Sequence, residues 1–127
     1  MVAKTLVTHD IDGGRLLFER LEADKVAITA ALWLYDPDGD RYRLYIATPE
    51  YETSGPLDAY RVVRESLDKL PADLAPELVD VNVVSPSDPI IQAIRKLVRL
   101  STIGGVRFSR NNVNGIYIED AWIYLSR

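Results

Sequence analysis

The sequence VAITAALWLYDPDGDRYRLYIAT, residues 26–48, predicts two β-strands joined by a tight turn. Side chains alternate between the two faces of a strand, and both halves of this stretch alternate in residue type. Between them, Asp36-Pro37-Asp38-Gly39-Asp40 is typical of a turn, because Pro presets φ, Asp accepts local N–H bonds and Gly adopts positive φ. We therefore expect an antiparallel hairpin around which the rest of the chain is arranged.

The register of this hairpin is predicted from the side chains that it would bring together. Pairing Tyr35 with Arg41 places the aliphatic residues of both strands on one face. A slip of one residue would mix aliphatic and arginine side chains on the same face. The opposite face would then carry Trp33, Tyr35, Arg41, Arg43 and Tyr45.

Composition limits the class of protein. A chain of 127 residues is long enough for one domain with one core. A net charge of −4 argues against non-specific binding to nucleic-acid backbones, which requires a positive field. The chain has no cysteine, which excludes disulfides, thiol nucleophiles and thiolate metal sites. Because it also has no long apolar run and no signal-peptide pattern, we expect a cytoplasmic protein.

The remaining segments complete the predicted fold. Residues 1–9 are typical of a frayed end or an edge strand. Helices are expected after Gly13-Gly14 as far as about Asp24, over 56–70 and from the Asp88 cap onward. Strands are expected over 78–84, 106–109 and 116–125. This order, α-β-β-α-β-α-β-β, predicts a single α+β domain over residues 1–127. Its sheet is mixed, mostly antiparallel and has about five strands, with three helices mainly on one side.

One hydrophobic core is expected from these elements, because their apolar residues recur at helix and strand spacing. Its predicted members are Ile28, Leu32, Leu34, Leu44, Ile46, Tyr60, Val63, Leu67, Val81, Val83, Ile94, Leu97, Ile116 and Ile118.

Two acidic motifs are candidate metal sites, and each has a simpler structural explanation. His9-Asp10-x-Asp12 fits a helix cap beside a solvated histidine. Glu119-Asp120 is a pair of strand neighbours, which normally face opposite sides. The chain has no phosphate-binding loop and no nucleophile elbow, and its Asp36–Asp40 turn lacks the EF-hand spacing. The sequence therefore favours a binding domain over an enzyme, and we expect no metal or cofactor.

An aromatic and arginine-rich sheet face is the strongest functional candidate. The last strand joins it if a bulge at Glu119-Asp120 places Ile116 and Ile118 on the side of Ala121, Ile123 and Leu125. The predicted interaction face then consists of Trp33, Tyr35, Arg41, Arg43, Tyr45, Arg107, Tyr117, Trp122 and Tyr124. Large exposed aromatic patches mark contacts, and Trp, Tyr and Arg are enriched at interface hot spots.

Three alternatives follow for this face. If it is exposed, its simplest partner is a second copy of the chain or another protein. Single-stranded nucleic acid is the rival, with bases stacked on Trp33 and Tyr45 while Arg41, Arg43 and Arg107 bind phosphates. The acidic net charge disfavours that rival. If a helix covers the face, its residues are core instead.

Four phrases resemble a family of small soluble bacterial proteins to which no activity is assigned. They are AALWLY at 30–35, RLYIATP at 43–49, GPLDAYR at 55–61 and GIYIEDAWIY at 115–124. The resemblance implies a bacterial, soluble origin and no particular site residues.

Overall fold

A computed structural model describes residues 6–127. The elements are α1 (Thr8–Ala23), β1 (Ala30–Asp36), β2 (Arg41–Ala47), α2 (Glu50–Thr53), α3 (Pro56–Leu67), β3 (Val81–Val84), α4 (Pro89–Leu97), β4 (Val106–Val113) and β5 (Ile116–Ser126). The strands form one mixed sheet of order β3-β2-β1-β5-β4, in which only the β2–β3 pair is parallel. The predicted α+β fold is confirmed, with the single-turn α2 as an additional helix.

Helices cover both faces of the sheet. On one face, here the α1/α3 face, Phe18 of α1 and Val63 of α3 pack with Trp33 of the central strand. On the other, the α4 face, Ile94 of α4 packs with Leu32. Two of the three predicted helices thus share one face, in line with the expectation that the helices lie mainly on one side, but α4 covers the other face. Within residues 6–127, no helix is long and apolar enough to span a membrane.

The β1–β2 register differs by one residue from the prediction. Tyr35 pairs with Tyr42 and Asp36 with Arg41. Asp40 adopts a left-handed φ of 50°, which suits the tighter turn. Because β1 is buried on both faces from residue 30 to 34, both of its alternating sets are apolar. The sequence pattern of such a strand does not discriminate between two registers one residue apart.

The predicted single core is divided by the sheet into two clusters. Leu44 and Val81 belong to the cluster under α1 and α3, whereas Leu34 and Ile118 belong to the cluster under α4. Leu97 is 40% exposed and is not a core residue. It is the last residue of α4.

Helix α1 begins at Thr8, earlier than predicted, and contains both glycines that were expected to precede it. A Cβ on Gly13 would lie 2.5 Å from the carbonyl oxygen of Leu74, and one on Gly14 would meet the Tyr124 hydroxyl. The glycines therefore mark a close approach of backbone to neighbouring groups and not a helix boundary.

The end of α1 and the start of α4 follow local signals closely. α1 ends at the Asp24 cap and α4 begins after Asp88, whose carboxylate accepts the Ile90 N–H at 2.9 Å, both as predicted. Residues 1–9 were expected to be a frayed end or an edge strand. Thr8 and His9 instead belong to α1, and residues 1–5 lie outside the described part of the chain.

The last strand changes sides between Ile118 and Asp120, as predicted. Ile118 shares a cluster with Ala121 and Ile123, whereas Trp122 and Tyr124 pack on the α1/α3 face. The cause is an interruption of β4 and β5 at the same level. Arg110 and Glu119 do not pair in the β4–β5 ladder, and Arg110 has a left-handed φ of 50°. Leu125 packs on the α1/α3 face, contrary to the prediction, because the β1–β5 register shifts at Ala31 and Leu32.

Candidate interaction surface

The predicted interaction face is split between the two sides of the sheet. Trp33, Tyr35, Trp122 and Tyr124 pack in or against the α1/α3 cluster, and Tyr45 packs against the α4 cluster. Strand alternation places Arg41 and Arg43 with Tyr45, and Arg107 with its partner Trp122. Tyr117 lies 57% exposed on the β4–β5 hairpin. The shifted register is the reason that these nine residues do not share a face.

Helix cover removes Trp33 and Tyr124 from solvent. Trp33 is 3% exposed and Tyr124 is completely buried, because α1 lies directly over both side chains. The predicted nucleic-acid site required the Trp33 and Tyr45 rings on one face so that bases could stack on both. This prediction is wrong, because the two rings lie on opposite sides of the sheet.

Arg107 is held inside a hydrogen-bonded network centred on Asp120. Its Nε and Nη2 atoms donate to that carboxylate at 3.0 and 2.6 Å, and Ser109 Oγ donates at 2.6 Å. Tyr42 donates a further hydrogen bond to the same group. Although burial disfavours the charged form, these donors hold the pKa of Asp120 below its usual value. Asp120 is thus satisfied within the fold, and its neighbour Glu119 is exposed and does not converge with it.

The His9 motif lies at the start of α1. His9 Nε2 lies 2.9 Å from the carbonyl oxygen of Asp73, Asp10 accepts the Val7 N–H at 3.3 Å, and Asp12 is exposed. Across residues 6–127, no group of three or more histidine, aspartate or glutamate side chains is placed to hold a metal ion. His9 and Asp10 instead line one side of a cleft of about 290 Å³.

Exposed apolar side chains concentrate around residues 71–80, which connect α3 to β3. Seven large apolar side chains are exposed within residues 6–127. Five of them lie on this connection or at the starts of α1 and α3: Val7, Leu57, Leu74, Leu78 and Val79. We call these five residues and the connection the 71–80 surface. The other two, Leu97 and Tyr117, lie on α4 and the β4–β5 hairpin.

An apolar groove of about 410 Å³ lies on one flank of the 71–80 surface. Its wall is one side of α3, and it is lined by Leu57, Tyr60, Arg61, Arg64 and Leu78. Leu57 is 85% exposed, and the lining contains two guanidinium groups and no carboxylate. We call this site the Leu57–Leu78 groove.

Tyr60 gives the groove a fixed wall. Its hydroxyl accepts the Val83 N–H at 3.1 Å and donates to Asn82 Oδ1 at 3.3 Å. The first of these contacts satisfies one backbone N–H of β3, which among the strands of residues 6–127 lies at the edge of the sheet. The groove is thus built on a side chain that also covers a sheet edge.

An acidic cleft also adjoins this connection. It is the 290 Å³ cleft beside His9, and its carboxylates are Asp10, Asp73, Glu77 and Asp80. Asp80 lies 4.0 Å from Arg41. Asp73 and Glu77 are exposed and form no ion pair with any residue from 6 to 127. The connection therefore contributes to two separate sites, a groove that contains two arginines and a cleft that contains four acidic residues.

Sequence reasoning treated residues 72–77, between the predicted helix over 56–70 and the predicted strand over 78–84, as a loop and missed this surface. One available signal was Leu57, which lies off the buried α3 stripe formed by Val63 and Leu67. A second was the pattern PADLAPEL, in which leucines and acids share a proline-bounded connection.

Comparison of the chain with protein-family models, with curated proteins and with solved structures finds no match.

Proposed function

We propose that this protein is a binding domain that recognises another protein chain through the 71–80 surface. The observation that supports the proposal is the concentration of five of the seven exposed large apolar side chains on that surface. Exposed apolar side chains that lie together mark contact sites, and Leu57 and Leu78 lie together in the Leu57–Leu78 groove.

The Leu57–Leu78 groove is the anchor site of this proposal. Its walls take an apolar side chain, since complete burial of a leucine-sized group contributes about 1.5–3 kcal/mol. The Arg61 and Arg64 side chains are 58% and 65% exposed and present guanidinium groups at the rim. Guanidinium binds carboxylate through paired N–H donors. The partner segment therefore carries an apolar side chain beside a carboxylate.

The test uses the dye 8-anilinonaphthalene-1-sulfonate, which is apolar and negatively charged like the proposed segment. In dilute protein we expect saturable binding at one site, measured by fluorescence. Perturbed amide signals in nuclear magnetic resonance spectra should be confined to α3 and the 71–80 connection. Leu78→Ser should weaken binding. Leu97→Ser is the matched control, because Leu97 and Leu78 are both 40% exposed.

Two results would contradict the proposal. One is the absence of saturable dye binding in the folded protein. The other is binding that Leu57→Ser and Leu78→Ser leave unchanged, which would place the dye elsewhere. Circular dichroism of each variant shows that the fold is intact, so weaker binding reports on the groove itself.

A further inference from the structure

We infer that the Asn114-Gly115 turn is a site of spontaneous covalent modification, at which the Asn114 side-chain amide is lost as ammonia. Water is the only co-reactant, and the products carry aspartate or isoaspartate at this position. The turn joins β4 to β5 and shares no residue with the 71–80 surface. The inference therefore does not rest on the proposed binding function.

The turn is open around the backbone nitrogen that the reaction uses. Val113 pairs with Ile116, so only Asn114 and Gly115 connect the two strands. Their φ angles are 51° and 80°, and positive values at both positions are typical of a type I′ turn. Both residues are exposed, and a Cβ added to Gly115 would have no neighbour within 4 Å. The surroundings of the Gly115 nitrogen are thus accessible to water.

The Gly115 N–H has no hydrogen-bond acceptor among residues 6–127. A backbone nitrogen attacks a carbonyl carbon only after it loses its proton, and an acceptor that binds the proton opposes this loss. Gly115 also has no side chain to obstruct the approach to Asn114 Cγ. The turn therefore combines an exposed amide with a free neighbouring nitrogen.

Asn82 shows the opposite arrangement. It lies on β3, and the next nitrogen along the chain, that of Val83, donates to the Tyr60 hydroxyl at 3.1 Å. Asn82 Oδ1 accepts a hydrogen bond from the same hydroxyl at 3.3 Å. Because both reacting groups are held by Tyr60, folding should protect Asn82 from the reaction.

The two remaining asparagines lie within β4 and are also less favourable than Asn114. The Asn112 N–H, which would have to attack the Asn111 side chain, donates to Asn111 Oδ1 at 2.9 Å. Asn112 precedes Val113, whose branched side chain is buried and crowds the nitrogen. Asn114 is therefore the asparagine at which the structure favours the reaction.

The reaction is an intramolecular substitution followed by hydrolysis. Hydroxide removes the Gly115 N–H proton, the nitrogen bonds to Asn114 Cγ, and the Cγ–Nδ2 bond breaks. The leaving amide takes a proton from water and departs as ammonia, which regenerates hydroxide and leaves a succinimide ring. Water then opens the ring at either carbonyl to give aspartate or isoaspartate, and no group is oxidised or reduced.

The isoaspartate product does not fit this hairpin. It adds a methylene group to the backbone between Val113 and Ile116, where a two-residue turn has a fixed length. We therefore expect modification to open the Val113–Ile116 pair and to expose Val113, which is 7% exposed in the parent. Faster amide hydrogen exchange at these two residues is the expected result.

Peptide mass spectrometry of the parent chain in mildly alkaline buffer, with and without urea, tests the inference. Replacement of an amide by a carboxylate changes the mass of the peptide that contains it, and chromatography separates the two isomers. Folding should slow the loss of amide less than about tenfold at Asn114 and more than about tenfold at Asn82, where tenfold corresponds to about 1.4 kcal/mol in the barrier. Comparing each residue with itself removes the effect of the neighbouring residue type.

Two results would overturn the inference. One is protection of Asn114 by folding that is as strong as the protection of Asn82, because the turn would then hold the reacting atoms apart. The other is faster loss of amide from Asn111 or Asn112 than from Asn114 in the folded chain. Asn114→Asp is the control, since aspartate tolerates positive φ. This variant should keep the fold and release no ammonia from the turn.

Discussion

The indole Nε1 of Trp33 donates a hydrogen bond to the Tyr124 hydroxyl at 3.0 Å. Trp33 also donates to the carbonyl oxygen of Asp10 at 3.1 Å, and Tyr124 donates to that of Ile11 at 2.6 Å. Two side chains from adjacent strands thus bind the backbone of α1. This pair fixes the helix against the sheet, and Gly14 leaves the space that the contact needs.

Gly14→Ala should destabilise the fold by about 1–3 kcal/mol, although alanine is about 1 kcal/mol better than glycine in a helix. The added methyl group would meet the buried Tyr124 hydroxyl and lie 2.9 Å from Trp33 Nε1. Urea unfolding measures the loss. Gly104→Ala is the control, because its Cβ would have no neighbour closer than 3.9 Å.

The Tyr124→Phe variant tests whether a clash with the Tyr124 hydroxyl causes the loss of stability in Gly14→Ala. Removing the hydroxyl should reduce the cost of Gly14→Ala, so the two changes should be non-additive. An equal cost of Gly14→Ala in both backgrounds would show that the loss has another origin.

The Asp24 carboxylate at the end of α1 accepts a hydrogen bond from Ser66 near the end of α3. Protonation of this carboxylate in acid should lower the stability of the fold. Hydrogen bonds from Ser66 at 2.6 Å and from Arg20 at 2.7 Å hold the pKa of Asp24 far below its usual 3.8. A lowered folded pKa contributes stability above pH 3.8 that is lost as the pH falls below it. Asp24→Asn should therefore lower stability at pH 7, and its difference from the parent should shrink on acidification.

Urea unfolding between neutral and acid pH provides the measurement. Asp68→Asn is the control, because that carboxylate is 68% exposed and lies 3.9 Å from Arg64. A difference between parent and Asp24→Asn that stays constant with pH would contradict the assignment.

Tyr42 should titrate well above an ordinary tyrosine. Burial and the hydrogen bond to Asp120 raise the pKa of Tyr42 to about 12. The neutral form is the one that the fold favours, so this contribution to stability is present below pH 10 and is lost as the pH rises toward 12. Tyrosine ring carbon shifts followed by nuclear magnetic resonance should show this titration. Asp120→Asn should lower the pKa of Tyr42, and an unchanged value would contradict the proposed cause.

The two sides of the sheet should be equally sensitive to truncation. Leu44 under α1 and α3 and Ile94 of α4 are both completely buried. Changing either to alanine should cost about 2–5 kcal/mol, because a cavity forms in each case. Leu97→Ala should cost less than about 0.5 kcal/mol, since Leu97 is 40% exposed. A small loss for Ile94→Ala would show that α4 does not seal its face of the sheet.

Local signals in the sequence determined the elements and the fold class. The Asp88-Pro89 pair predicts the start of α4, and the Asp36–Asp40 turn predicts the β1–β2 hairpin, because both depend on neighbours in the chain. The change of sides near Asp120 was also predictable, since burial of an unpaired carboxylate beside Ile118 is costly.

Only the tertiary structure decided which faces are covered and where a binding surface remains. Leu32 and Trp33 belong to the two alternating sets of β1 side chains, and both sets are apolar. The sequence alone does not show which set a helix covers, because β1 is buried on both faces. Gly14 likewise owes its place inside a helix to Tyr124, which lies far along the chain. The Leu57–Leu78 groove joins residues from two separate segments. No periodic pattern within one segment reports such a contact, because it depends on long-range packing between elements.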